Sequence, residues 1–459
     1  MLLENLLHLL GGWAPVFRQK RTCERAIALA LGLLCGLGRR TVTRAICFNN
    51  RQHQDWSADY KLFNRSRWEA DALFEPLIQT ALGKYCAKQI VVGLDDTGIK
   101  RWGKKIKTAY WQRDPLSPPF HTNLMLGQRF LQASLLTPLY HFDGESSPRA
   151  LPLRFEEVTP VRKPGKNATK EQKAAYRQAK KTHNLSTAFM AMLSELRQCF
   201  DSQGFQHKSV IAVGDGSFCN KTTFRQPFDR TILITRARKD LRLCMPYQGQ
   251  GPRYYGKETF TPQKIYQDPS IPWKEVKIFH GGRYRRVRFK EVSQLLWQRG
   301  GGRRLLRLFV LAPTPYRKTK AGQFYYRQKA YLLCDDNQLA AKDLLQAYFD
   351  RWEIEINHRD EKSILGVGHA QVWADLSVPR VPALMVATYS LMLLSALETY
   401  GPKRTAAYEP LPKWRTAARR ASCQDLVTLL PKQIEAKPRC QGTPTNIVGY
   451  PSMVQTAAA

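Results

Sequence analysis

The sequence predicts an α/β fold: a strand–helix–strand core, preceded by an all-α region and interrupted by a β-rich insertion. Three observations carry that expectation. Residues 1–88 keep helical periodicity, short apolar runs that end in aspartate alternate with helical stretches from Ile90 onward, and residues from about 240 to 335 switch to short strands and turns. With 459 residues, 43% hydrophobic and 24% charged, the chain can bury a real core and is neither fibrous nor wholly disordered. Its charge sets it apart. The 72 Lys and Arg against 37 Asp and Glu leave +35, far beyond what solubility needs, so the natural partner is a polyanion.

Taken in order, the N-terminal run MLLENLLHLL has Glu4 inside it and no cationic head, which reads as an amphipathic helix rather than a signal peptide. Gly38 to Arg44 breaks one helix and starts another with Arg39, Arg40 and Arg44 at its head, as a helix-turn-helix would; a helical bundle with a solvated basic turn reads equally well. Ser66-Arg67-Trp68-Glu69 is a capping-box signal for the helix carrying Leu73, Leu77 and Ile78. Ile90–Leu94 is a short strand ending in Asp95-Asp96-Thr97, and Phe130–Leu136 is a second strand. Arg162 to Lys181 holds eight basic residues against one acidic, with Lys170, Lys173, Arg177 and Lys180 at helical spacing, and runs into the apolar helix Leu185–Phe200. Ser209–Gly214, ending in Asp215, and Thr231–Thr235 are further strands.

The insertion follows, with strands at Val276–Phe279, Tyr284–Phe289, Arg304–Leu311 and Ala330–Leu333. Between 281 and 320 it has twelve Lys or Arg, Arg283, Arg285 and Arg286 among them, and one acidic residue, Glu291. Tyr284, Phe289, Trp297 and Tyr316 are interleaved, a pattern suited to phosphate contacts and base stacking. A long helix from about Leu339 to Leu365, more helices to about 435 and a disordered tail complete the chain. The expected units are therefore 1–88, 89–239, 240–335, 336–435 and 436–459. Ala26–Gly38 and Val381–Leu397 read as core helices rather than membrane spans, and ten cysteines without a C-x-x-C pair read as reduced thiols of a cytosolic protein.

The chemistry concentrates in Tyr348 to Lys362. At about 100° per residue Tyr348, Arg351, Glu355, His358 and Lys362 fall within about 80° of one another on a helix, a carboxylate flanked by cations. The bland alternative is ion pairing at i,i+4 on a surface helix. Asp96 and Asp215 each end an apolar strand, and strand-end carboxylates with a helical Glu can hold two divalent cations about 3.5–4 Å apart for phosphate chemistry. Oxygen ligands of this kind suit Mg²⁺ or Mn²⁺. Adjacent strand residues point to opposite faces, so this logic alone leaves Asp95 and Asp96 both open.

Tyr348, Arg351, Glu355 and Lys362 stand at Y-(2)-R-(3)-E-(6)-K spacing, accompanied by Trp352, Ile354 and His358. In this the chain resembles one large group of insertion-sequence DDE transposases, over roughly residues 90–400. The resemblance implies an RNase H-like catalytic core interrupted by the β-rich insertion, with an all-α N-terminal DNA-binding region. It carries over Asp96, before Thr97, together with Asp215 and Glu355 as the catalytic and metal-binding triad for Mg²⁺ (or Mn²⁺). It implies that Arg351 and Lys362 grip DNA phosphates, that Tyr348 hydrogen-bonds one of them, and that Tyr331, or Tyr326, stands where relatives stack a flipped base on a tryptophan. Its substrates would be double-stranded DNA at element ends and target, cut and joined by a homodimer on paired ends, in the cytoplasm and nucleoid-associated on DNA. Two other readings remain: a tyrosine recombinase using His280-Gly-Gly-Arg283 and Tyr316, and a DNA-binding protein that keeps the fold without transposing.

Overall fold

The apolar strand segments become the centre of a ten-stranded sheet in the computed structural model, which describes residues 1–436 apart from 37, 87, 104, 115–116, 119, 318–321 and 416–417. The expected tail, 436–459, lies outside the described residues except for Ala436. Five helices come first: α1 (Leu2–Gly11), α2 (Lys20–Cys35), α3 (Val42–Phe48), α4 (Ser57–Asn64) and α5 (Glu75–Tyr85). They lead into β1 (Ile90–Lys100), β2 (Tyr110–Arg113), β3 (Leu124–Thr137), α6 (Tyr140–Asp143) and β4 (Arg149–Glu157). Then come α7 (Lys170–Thr182), α8 (Leu185–Ser202), β5 (Val210–Gly214), α9 (Lys221–Arg225) and β6 (Thr231–Arg236). The insertion supplies β7 (Leu243–Pro246), β8 (Tyr255–Phe260), α10 (Pro262–Gln267), β9 (Lys274–Phe279), β10 (Tyr284–Leu295), β11 (Leu306–Leu311), β12 (Pro315–Arg317), β13 (Phe324–Tyr326) and β14 (Ala330–Cys334). The described residues end with α11 (Ala341–Asp350), α12 (Trp352–Arg359), a π turn (Asp360–Ile364), α13 (Ser377–Tyr400) and α14 (Cys423–Glu435).

The sheet runs β2-β3-β1-β5-β6-β14-β11-β10-β9, and β4 also pairs with β3. β1, β5 and β6 are parallel to one another, while every other pair in this sheet is antiparallel. This mixed sheet, centred on β4-β3-β1-β5-β6, is consistent with an RNase H-like core. Two insertion hairpins, β7 with β8 and β12 with β13, stand apart from it, but β9, β10, β11 and β14 extend it from the free side of β6.

Strand alternation divides the apolar side chains. Ile90, Val92, Leu94, Val210 and Ala212 join the large core with Phe189, Leu193 and Phe200 of α8. Ile211 and Val213 face the other way, into a second core with Leu344, Leu345 and Ala347 of α11. α12 lies against β1 on that second face, so closely that a Cβ built on Gly93 would meet Ile354 Cδ1 at 2.4 Å. The N-terminal helices share the large core with α13: Asn5 Nδ2 donates to Ser395 O and Thr399 Oγ1, and Arg380 Nη1 donates to the carbonyls of Phe63 and Ser66. α13 is long and apolar enough to cross a membrane, yet nearly all of it is buried inside the protein.

Four expectations change. Ser66 to Glu69 do not cap a helix: Leu73 lies in a 3-10 turn, Asp71–Phe74, and the helix of Leu77 and Ile78 starts at Glu75 with no side-chain cap. β1 does not stop at Leu94 but continues through Asp95 and Asp96 to Lys100, because pairing with β3 runs to Lys100↔Gly127. The long helix divides at Arg351 and ends in the π turn, which shifts the phase of everything beyond Arg359. β4 forms without having been expected; its Leu151, Leu153 and Phe155 are buried in a sequence where Pro152 argues against a strand.

Candidate active site

The register between β1 and β5 builds the site. The parallel pairs run from Ile90↔Val210 to Leu94↔Gly214, so the next residues, Asp95 within β1 and Asp215 just past the end of β5, stand at one level. Paired residues of parallel strands face the same way, and for these two that is the face covered by α11 and α12. Arg351, at the junction of the two helices, reaches down to it. Its Nη1 is 2.8 Å from Asp95 Oδ2, and its Nη2 is 3.1 Å from Glu355 Oε1 one turn on. Burial lifts Asp95 to about 6, against the pull of the Arg351 guanidinium and with Asp215 and Asp96 adding to the rise. Asp215 also caps the short turn after β5, its Oδ1 accepting the Ser217 N–H at 2.8 Å and the Ser217 hydroxyl at 2.5 Å.

Asp96 is turned to the opposite face. It pairs across the sheet with Leu131, which pairs with Glu156, and its Oδ2 accepts from Arg129 Nε at 2.6 Å. The geometry therefore gathers Asp215 and Glu355 of the sequence-level triad and joins to them Asp95 instead of Asp96. No signal in the sequence separates the two neighbours; only the register does.

Of the expected stripe, Tyr348, Arg351 and Glu355 line one cleft of about 610 Å³, which β12, β13 and the residues after them close from the other side. Its far wall brings Tyr316, Tyr326 and Arg327, whose guanidinium lies 5.4 Å over the Trp352 ring. Arg285 lines a cavity of about 220 Å³ that shares His280, Tyr316, Arg327 and Trp352 with the cleft, while Arg283 and Arg286 are exposed on the β9–β10 hairpin. His280 faces both spaces; burial, with Arg327 and Arg285 beside it, lowers it to about 4 and keeps it neutral. His358 does not reach the cleft. Its Nε2 is buried with no hydrogen-bond partner among the described residues, and burial beside Lys362 and Arg351 lowers the ring to about 3. Lys362 sits in the π turn, exposed, with its charge near Asp96, Asp114 and Asp95.

Tyr331 is only 5% exposed, packed in the sheet, and its hydroxyl donates to Gln263 Oε1 at 2.6 Å. Tyr326 is 67% exposed at the cleft. Arg39 and Arg44 are exposed at the head of α3; Arg40 is half-buried, its backbone N–H donating to His369 Nδ1 at 3.2 Å. A network absent from the sequence reading anchors Arg351 from behind. Tyr140 donates to Asp350 Oδ2 at 2.7 Å, Gln346 Nε2 donates to Asp350 Oδ1 at 2.9 Å, and Gln346 pairs through both ends of its amide with the Phe279 backbone.

The donor chemistry of Asp95, Asp215 and Glu355 fits a divalent ion held by oxygen. A second acidic group, Asp71, Glu156 and Glu195, brings its carboxylates within 4.8 Å of one another and could also take a cation. It includes Glu156, which lies on the sheet face opposite Glu355 and which burial pushes up to about 7. The sequence matches no curated protein at a significant level. A family model described as DDE superfamily endonuclease does match, over residues 14–301, a span that includes Asp95 and Asp215 and stops before Glu355. Covering well over half of the chain, that match identifies it as a member of the DDE superfamily endonucleases.

Proposed function

We propose that the protein is a DNA transposase that cuts phosphodiester bonds at the ends of an insertion element and joins them to target DNA. The observation that carries the reading is the alignment of Asp95 with Asp215 beneath Glu355, beside a basic, aromatic cleft. Asp95, Asp215 and Glu355 would hold Mg²⁺ or Mn²⁺, which when bound activates water or a 3′-hydroxyl and stabilises the leaving oxygen. Arg351 offers a bidentate fork, now shared between two carboxylates, that suits a phosphate equally well. Tyr348 presents a hydroxyl to the same cleft, and Lys362, outside the cleft lining, adds a point charge near Asp95. Tyr326, rather than the buried Tyr331, is the aromatic ring free to stack on an unpaired base. Action at two paired ends calls for a homodimer on DNA, with the protein cytoplasmic and nucleoid-associated.

The test is excision of a DNA segment flanked by the native element ends, in cells expressing wild-type protein or Glu355→Gln. Excision by the wild type and none by the variant is expected, since the amide keeps the shape of the side chain and removes its charge. Equal excision by both would sink the acidic site and move attention to Tyr316, which lines the same cleft. No excision by either, with DNA still bound, would favour a binding protein that has lost its chemistry.

A further inference from the structure

The cationic segment before α8 takes no part in the cleft. α7 runs for 13 residues without a single buried side chain. A capping box starts it, Thr169 accepting from the Gln172 N–H while Gln172 accepts from the Thr169 N–H, and Ala174, Ala175 and Ala179 favour its continuation. A helix this short is marginal in water by itself, and one that is polar all round draws nothing from the core. Among the described residues nothing buries any of its side chains.

The C-terminal end of α7 is tied to the acidic site by hydrogen bonds. Asp215 accepts from Ser217; the Ser217 carbonyl accepts from Asn220 Nδ2, which also donates to Ser186 Oγ in the first turn of α8. Asn184 caps that turn through Ser186 and Thr187, and its Nδ2 donates to the carbonyls of Lys180 and Lys181. The helix thus leads away from the loop that follows Asp215. Along it Lys170, Lys173, Arg177 and Lys180 fall within about 80° of one another, over about 15 Å.

We propose that α7 is a contact for the DNA backbone, receiving the duplex that passes the acidic site on the Asp215 side; this rests on DNA being the substrate. Duplex DNA carries one charge per about 1.7 Å of axis with both strands counted, so about 15 Å of duplex carries about nine phosphate charges, more than the four cations would need. A membrane surface is the poorer partner, because a helix that lies in one needs an apolar face of large side chains, and α7 has only alanines and the half-buried Tyr176.

The test is the salt dependence of binding to a 40-base-pair duplex. It compares purified wild type, a neutral variant (Lys170→Gln, Lys173→Gln, Arg177→Gln and Lys180→Gln) and a charge-keeping variant (Lys170→Arg, Lys173→Arg, Arg177→Lys and Lys180→Arg). Each phosphate contact adds about 0.9 to the slope of log affinity against log salt. The neutral variant should therefore lose about 3 to 4 of that slope, and the wild type should weaken roughly 100-fold more than it between 50 and 200 mM salt. The charge-keeping variant should behave as the wild type. An unchanged slope in the neutral variant would overturn the helix contact while leaving the DNA reading intact, and equal losses in both variants would overturn it as an electrostatic contact. Wild-type protein that fails to bind DNA at all would overturn both readings together.

Discussion

Adjacent side chains of a strand point to opposite faces, so an amide placed at Asp95 and then at Asp96 probes the two sides of one sheet separately. Asp95→Asn should lower metal-dependent nicking of duplex DNA by more than about 100-fold, since even partners behind a metal ligand are worth 10- to 100-fold. Asp96→Asn frees Arg129 but leaves Asp95, Asp215 and Glu355 in place, and should keep most of the rate. Initial rates in Mn²⁺ decide; the opposite ranking would return the site to Asp96. Asp350 gives a prediction of another kind. Burial pushes its carboxyl to about 8, so the folded protein holds a proton there that the unfolded chain releases above about 4. Raising the pH from about 4 to about 8 then favours unfolding, and above 8 the loss stops growing. Melting curves across that range should show the wild type losing stability relative to Asp350→Asn as pH rises, with the difference level beyond 8. A constant difference would mean that Asp350 is ionised in the folded protein throughout.

The basic turn after α2 depends on how closely two helices meet. A Cβ built on Gly32 would lie 2.8 Å from the Ala45 Cα and carbonyl oxygen of α3, backbone atoms that cannot rotate away. Gly32→Ala should destabilise the protein by about 1–3 kcal/mol, seen as a lower melting temperature, and displace Arg39 and Arg44 with α3. An unchanged melting temperature would mean that the helices do not meet this closely. Elements of this kind were legible where local pattern is strong. The apolar runs around Val92, Val213 and Leu333 fall where periodicity puts them, and Tyr348 and Glu355 are both helical, although on two helices instead of one. What could not be read is what depends on partners distant in the chain. The reach of β1 to Lys100 is set by β3, the choice of Asp95 by β5, and the burial of Tyr331 by neighbouring strands and Gln263. Nor does a helical wheel foresee the break at Arg351 or the π turn that carries Lys362, and neither Lys362 nor His358 lines the cleft that Tyr348, Arg351 and Glu355 share.

Across the whole molecule the net charge is +35, of which the α3 turn, α7 and the β9–β10 hairpin each carry only a part, so no single cation dominates the attraction for a polyanion. Arg283→Ala, at the exposed hairpin, should weaken DNA binding about equally for all sequences and reduce the salt slope by about 0.9, measured by titration at several salt concentrations. A loss confined to one sequence would make it a base contact instead. The way the insertion joins the sheet matters also before the chain is complete. The outer edge of β6 waits for β14, made about a hundred residues later, which at 5–20 residues per second is roughly 5–20 seconds on the ribosome. During that interval a parallel, apolar strand pair has an open hydrogen-bonding edge, the kind of edge that recruits strands from other chains. Chaperone cover during the making of residues 236–330 should therefore raise the soluble yield, and slower synthesis, which lengthens that interval, should not.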